Sequence, residues 1–219
     1  MNAKTLVIGL ALAGTLSQVP IAGTRTRHHG DIVIEMTACR REPYCALAVD
    51  IQTPSAHHSV AFNLGEGGPS WVEARPLQLP GTTAFSLVAI AAGGSDQHFE
   101  TAIITVVDGT VREVLPAHLR TSSQDLVCLG HFGTGRKLGL LSATFAWEDE
   151  AHYDVHRYAV SHYEWNGQAF SELSNRTTGR KHANSRSAIQ EFGYRCERDL
   201  ISWTLGTEGE AALEGTNDG

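Results

Sequence analysis

The chain has 219 residues, with 17 Lys and Arg against 24 Asp and Glu, a formal charge of −7. That balance offers no electrostatic footing for nucleic acid, whose phosphates are met by clustered Lys and Arg, and mainly favours solubility. The length suits one β domain with a real core and is short for two.

Lys4, the apolar run Leu6–Leu16 and the small residues after it have the order of a secretory signal, expected over 1–22 with cleavage between Ser17 and Gly23. The run is too short for a bilayer span, which needs about 20 apolar residues. No later stretch reaches that length, so no membrane span is expected in the mature chain, and the expected location is the periplasm or outside the cell. Residues 24–30 read as a disordered leader or a lead-in. A single β domain is expected over 31–206, and an acidic, disordered tail over 207–219.

Along the domain, Asp31–Met36 alternates apolar and polar with the period of a half-buried strand. Cys45–Ile51 reads as a second strand and 52–58 as a loop. Residues 59–64 and 70–75 read as a hairpin about 65–69, a loose copy of the unit at 86–115. Ser86–Leu115 reads as strand, polar loop, strand, tight turn at Asp108-Gly109, strand. Residues 116–124 read as a connection with one short helical turn. Strands are expected over 125–130 and 138–147, joined by 131–137. A second unit, Thr144–Leu173, turns at Asn166-Gly167, where a type I′ turn is expected because both dipeptides suit positive φ. Residues 174–187 read as an exposed basic loop, and 189–194 and 200–205 as the last strands.

The segments 86–115 and 144–173 align without a gap at an offset of 58, with Leu87 under Phe145, Ala89 under Trp147, Ile104 under His162 and Val107 under Trp165. This is an internal repeat. Helical periodicity is nearly absent. The expected fold is all-β, antiparallel meander or blade-like repeats forming a sandwich or a propeller-like domain. Three blade-like units are too few to close a standard propeller.

Four cysteines, Cys39, Cys45, Cys128 and Cys196, in an exported chain favour disulfides with three possible connectivities. A local Cys39–Cys45 bridge around Pro43 and a long Cys128–Cys196 bridge are the expected pair.

Residues 125–146, DLVCLGHFGTGRKLGLLSATFA, resemble the FG-GAP/VCBS repeat of integrin-type β-propellers and their bacterial envelope relatives. The hairpin Tyr163–Phe170 resembles the aromatic hairpin of similar exported proteins. The family's calcium loop would fall at His131–Lys137, which has His131, Thr134, Arg136 and Lys137 but no carboxylate. Calcium wants six to eight hard oxygens, so the ion does not carry over. What the resemblance implies is a β-meander scaffold used for binding.

The richest constellation is the acid and histidine loop at 148–156. His152 and His156, four apart, with Asp149 and Asp154 could hold zinc or another divalent metal, given a turn that brings them together. In an extended strand the two histidines would lie about 13 Å apart. Without a metal the loop pairs with basic residues or meets a partner. Two equivalent loops, one carrying Asp96 and His98, the other Glu150, His152, Tyr153 and His156, would form a binding surface. The basic loop with Arg180 and Lys181 suits an acidic protein or anionic wall polymer. Trp71, Trp147 and Trp203 are expected in the core. No Gly-x-Ser-x-Gly elbow is present, and no carboxylate pair stands out for glycoside chemistry. The expectation is therefore an exported, non-catalytic binding protein without a cofactor, with a protein or envelope-polymer partner, in one version an inhibitor or immunity-type partner of a secreted or cell-wall-acting enzyme. The alternative is a metal-binding protein or metal-dependent hydrolase using 148–156.

Overall fold

The structure, a computed structural model, describes residues 22–39, 47–64, 70–93, 96–133, 135–147 and 154–201. The expected signal, the 207–219 tail, Trp203 and Cys45 lie outside these residues, and so does any account of the Cys39–Cys45 pairing. The fold is all-β and antiparallel, and among the described residues neither sheet closes into a barrel.

Three four-stranded meanders succeed one another. The first is β1 (Ala22–His29), β2 (Ile32–Cys39), β3 (Leu47–Gln52) and β4 (His57–Phe62), each paired with the next. The second is β5 (Ser70–Leu79), β6 (Thr82–Gly93), β7 (Asp96–Val107) and β8 (Thr110–Glu113). The short β9 (Leu119–Ser122) joins it along the other end of β7. The third is β10 (Leu126–Phe132), β11 (Lys137–Ala146), β12 (Arg157–Trp165) and β13 (Phe170–Thr177), with β14 (Arg198–Asp199) on the outer edge of β10. Ser70 and Trp71 at the start of β5 pair with the end of β2, so the first two meanders and β9 form one nine-stranded sheet.

Burial keeps the period-two pattern. Ile34, Met36, Val49, Ile51, Val60 and Phe62 pack on Val72, Phe85, Leu87, Ala102 and Ile104. The opposite face of the central meander offers Leu77, Val88, Ile90, Phe99 and Ile103 to Val127, Leu129, Leu140, Tyr163 and Trp165. The far face of the third meander, with Cys128, Leu141, Phe145, Tyr158 and Val160, is covered by Ala188 and Ile189 of the helix α1 (Ser185–Gln190). Both faces of β12 are therefore core, Tyr163 and Trp165 on one side and Tyr158 and Val160 on the other.

The repeat maps β6–β8 onto β11–β13. Phe85, Leu87, Ala102 and Ile104 face the N-terminal meander, and their counterparts Ala143, Phe145, Val160 and His162 face the helix side. The remaining, equivalent faces meet in the middle. Blades of a propeller stack by rotation, which brings unlike faces together. Like faces meet here, so the two repeats form a sandwich. The alignment is not gapless in space. Leu87 pairs with Ala102, whereas Phe145 pairs with Tyr158 rather than Val160. A slip of two residues keeps every side chain on its face.

Several expectations are corrected. Residues 24–30 are not a leader, since β1 pairs along all of β2. Residues 59–64 and 70–75 are not a hairpin, because β4 pairs with β3 while β5 pairs with β2 and β6. The connection 116–124 contains β9 rather than a helical turn. Asp108 and Gly109 have φ of 49° and 74° and close a two-residue turn as expected. At Asn166-Gly167 only the glycine is positive, and Trp165 pairs with Phe170 across four residues. Asn166 Oδ1 there accepts the N–H groups of Gln168 and Ala169, an Asx turn replacing the type I′ turn. Residues 174–177 are strand, and 189–194 hold the end of α1 and a turn instead of a strand. The side chain of Asn184 caps α1 by accepting from the Ser187 N–H. Among the described residues the last strand is Arg198–Asp199; Leu200 and Ile201 are not strand, and the rest of the expected 200–205 lies outside those residues.

The Cys128–Cys196 bridge is present, with a Cα separation of 5.7 Å. It fastens the segment leading into β14 to β10, where Cys128 also pairs with Asp199.

Candidate functional site

The two loops singled out in the sequence share a root. His98 is exposed on β7 and pairs with Ser122 of β9. Asp125, in the turn after β9, accepts the Ser122 N–H on one carboxylate oxygen at 2.6 Å and the Phe145 N–H on the other at 3.1 Å. Phe145 lies three residues before the second loop. One carboxylate thus joins the β7–β9 pair to the strand that enters 148–156. Asp96 opens β7 just beyond residues 94–95, which lie outside the described set. Asp149, Glu150, His152 and Tyr153 also lie outside it, while Asp154 is exposed.

Trp147, expected in the core, is instead 61% exposed at the root of the second loop. Its ring meets the edges of Phe145 at 5.3 Å and His156 at 5.6 Å. Val155 beside it is half exposed. Trp71 is partly buried against the middle core.

His156 is buried and stacks on Phe145 at 4.3 Å. Neither ring nitrogen has a hydrogen-bond partner. Its backbone exchanges two hydrogen bonds with His182, at 3.0 and 2.7 Å, which folds the basic loop back onto β12. His182 in turn meets Glu191 at 2.7 Å. The Gly179 N–H bonded to Glu191, and after it His182, holds that carboxyl below its ordinary value. Much of the basic loop is therefore compensated. Arg180 lies 3.6 Å from Glu191, Arg186 pairs with Asp199, and Arg176 lies over Phe192 and donates to the Tyr194 hydroxyl. Lys181 is exposed.

A groove of about 440 Å³ runs between the Ser123–Asp125 turn and the Asn184–Arg186 segment, with Tyr158 and Asp199 in its lining. Burial, and after it the nearby Asp125 charge, pushes the Tyr158 hydroxyl up to about 12.

Among the described residues, one set of three ligand-bearing groups has its atoms within 4.8 Å of one another, namely Cys128, Cys196 and Asp199. Its sulfurs are bonded to each other, and zinc needs thiolates, so it is a disulfide neighbourhood. His156 and Asp154 belong to no such set among the described residues. Where the resembled family has its calcium loop, β10 and β11 run to Phe132 and from Lys137, which leaves a shorter turn than expected. Glu197 reaches that turn, 3.0 Å from His131 Nδ1 and 3.8 Å from Arg136.

One cluster draws together residues that no sequence motif marks. Glu100, on the face of β7 opposite Phe99, is 4% exposed. It accepts the Asn63 N–H at 2.9 Å and meets His118 Nδ1 at 2.8 Å. His118 Nε2 meets Glu113 at 2.9 Å, and His58 Nε2 lies 3.3 Å from the same carboxylate. A cleft of about 210 Å³ beside this cluster is lined by Asn63, Leu64, His98 and Arg120. Burial pushes the Glu100 carboxyl up, but the hydrogen bonds from His118 and Asn63 and the His118 and Arg120 charges outweigh it, and its pKa falls. The Glu100 bond raises His118 against the opposing effect of burial. A glutamate between Phe99 and Thr101 in an apolar strand was the available signal, because a buried carboxylate needs partners. No family model, curated protein or solved structure matches the chain.

Proposed function

We propose that this is an exported, non-catalytic binding protein of the bacterial envelope that meets a protein partner through the surface around the Ser122–Asp125 turn. The observation that supports the reading is the Asp125 carboxylate, which accepts both from Ser122, the partner of His98, and from Phe145 on the strand that leads to Trp147. Exposed aromatic residues carry a large share of interface energy, and Trp147 is the anchor of this surface. The groove between Gln124 and Arg186 extends it. An inhibitor or immunity-type role toward a secreted or cell-wall-acting enzyme fits a compact, disulfide-tied, acidic protein, and it rests on class-level analogy together with the resemblance to envelope repeat proteins.

The test is site-specific photo-crosslinking in the producing cell, with the reactive residue placed at Trp147, at His98 and, as a control, at Glu35 on the first meander. The reading expects one common adduct from the first two sites and none from the third. Adducts that do not distinguish the three sites, or no adduct at all, overturn it.

A second reading, a metal-binding protein or metal-dependent hydrolase, keeps one observation in its favour, the two buried and unpartnered ring nitrogens of His156. Elemental analysis of the purified protein beside His156→Ala separates the two. Stoichiometric zinc lost in the variant supports the metal reading, and a metal-free folded protein removes it.

A further inference from the structure

We infer that His118 is a proton-held latch that ties the central meander to the β4 edge of the first, and that its deprotonation loosens β8, β9 and the cleft beside them. The geometry carries this. His118 Nδ1 faces Glu100 at 2.8 Å and Nε2 faces Glu113 at 2.9 Å. A neutral imidazole has one donor and one acceptor, whereas an ionised carboxylate only accepts. Two carboxylates on one ring are therefore both satisfied only by the imidazolium, and both bonds are then charge-assisted.

The surrounding elements make the proton hard to replace. From β4 and the residue after it come the Phe62 ring at 5.2 Å, the Asn63 N–H on Glu100 and His58 on Glu113. From β9 comes Arg120, 3.9 Å from Glu100 and two-thirds exposed. Glu100 has a side chain only 5% exposed, so it cannot recover water without the edge opening. Once the ring is neutral, one carboxylate faces a lone pair, and the cluster keeps two negative charges with Arg120 beside one and the His58 ring beside the other. Release of residues 116–118, which hold no strand and of which 116 and 117 are exposed, relieves that repulsion while the buried Val114 stays in the core. Asn63, His98 and Arg120 line the adjoining cleft, so its shape and charge depend on the same proton. The raised His118 value agrees with this.

The experiment is NMR on the full-length protein. The ring nitrogens of His118 are monitored from pH 5 to pH 9, with amide protection factors corrected for intrinsic exchange. The latch predicts a doubly protonated ring at pH 6, and protection across 113–122 that falls about tenfold or more on deprotonation while β10–β12 stay unchanged. His118→Gln should abolish that pH dependence. Glu113→Gln, which keeps the shape of the site, should lower the pH at which the ring titrates and serves if the first variant does not fold. A neutral ring at pH 6, protection that ignores pH, or a titration unmoved by Glu113→Gln overturns the proposal.

Discussion

Asp125 accepts the backbone N–H of Phe145 at 3.1 Å while its second oxygen holds Ser122 at 2.6 Å. No ladder pairs the central and third meanders among the described residues; this carboxylate bridges them together with the Phe170 N–H on the Val114 carbonyl. Asp125→Ala should cost about 1–3 kcal/mol, the usual penalty for stranding partly buried donors bonded to a charged acceptor. Asp125→Asn keeps a single acceptor oxygen and should cost less. Urea titration measures both. The same variants should weaken crosslinking from Trp147 and His98 together, and loss at one site alone would mean that the two loops are not coupled through this residue.

The Cys128–Cys196 bridge closes a loop of 68 residues that contains β11, β12, β13 and α1. Cross-linking a loop of that length restricts the unfolded chain by about 4 kcal/mol. The Cys128→Ala/Cys196→Ala pair should lower the urea midpoint accordingly, and the fully reduced wild type should match it. Because β14 has only two paired residues, its amides should lose exchange protection first, ahead of β11 and β12. Loss that begins in β11 would contradict this order.

Gly139 on β11 is required by close packing. A Cβ there would come within 2.7 Å of the Tyr163 carbonyl oxygen and 2.9 Å of the Phe132 ring. The backbone contact cannot yield as a flexible side chain can, so Gly139→Ala should destabilise by about 1–3 kcal/mol. Gly23→Ala meets nothing within 4 Å and is the matched control, expected to stay within about 0.5 kcal/mol of wild type. Thermal melts of the two variants side by side test the contrast.

The strands were legible where one face is buried, as in Asp31–Met36, and the Asp108-Gly109 turn was legible from its chemistry. β1 was missed because Thr24–His29 has no apolar alternation, since this edge strand buries little. Helix α1 was missed because six residues leave no period to detect, and the Ala188-Ile189 pair it buries suits a strand equally. The paired loops were legible as candidates through the repeat, but not their common root, because Asp125 lies outside both copies. The Glu100–His118–Glu113 cluster depends on β9 returning to β7, and no local preference in Leu119–Ser122 announces that pairing.

Two histidines should shape the pH dependence of stability in opposite directions. His162 sits among Phe132 and Tyr194, and burial lowers its pKa, Glu164 opposing and Arg176 assisting. A depressed histidine is neutral in the fold and protonates more readily when unfolded. Its penalty is absent above the unfolded value of about 6.5 and grows as pH falls toward its folded value. His118 is raised, so its contribution is complete below about 6.5 and is lost as pH rises through the folded value. Glu100 is lowered, so its share is present above about 4.3 and fades as pH falls through its own folded value. Urea midpoints measured from pH 4 to pH 9 should therefore decline on both sides of a maximum. His162→Phe, which keeps a ring against Phe132, should flatten the acid limb just below pH 6.5 and leave the alkaline limb alone. His118→Gln should flatten the alkaline limb. If both substitutions alter the same limb, one of the two protonation states assigned here is wrong, and the ring that NMR finds in the other state identifies which.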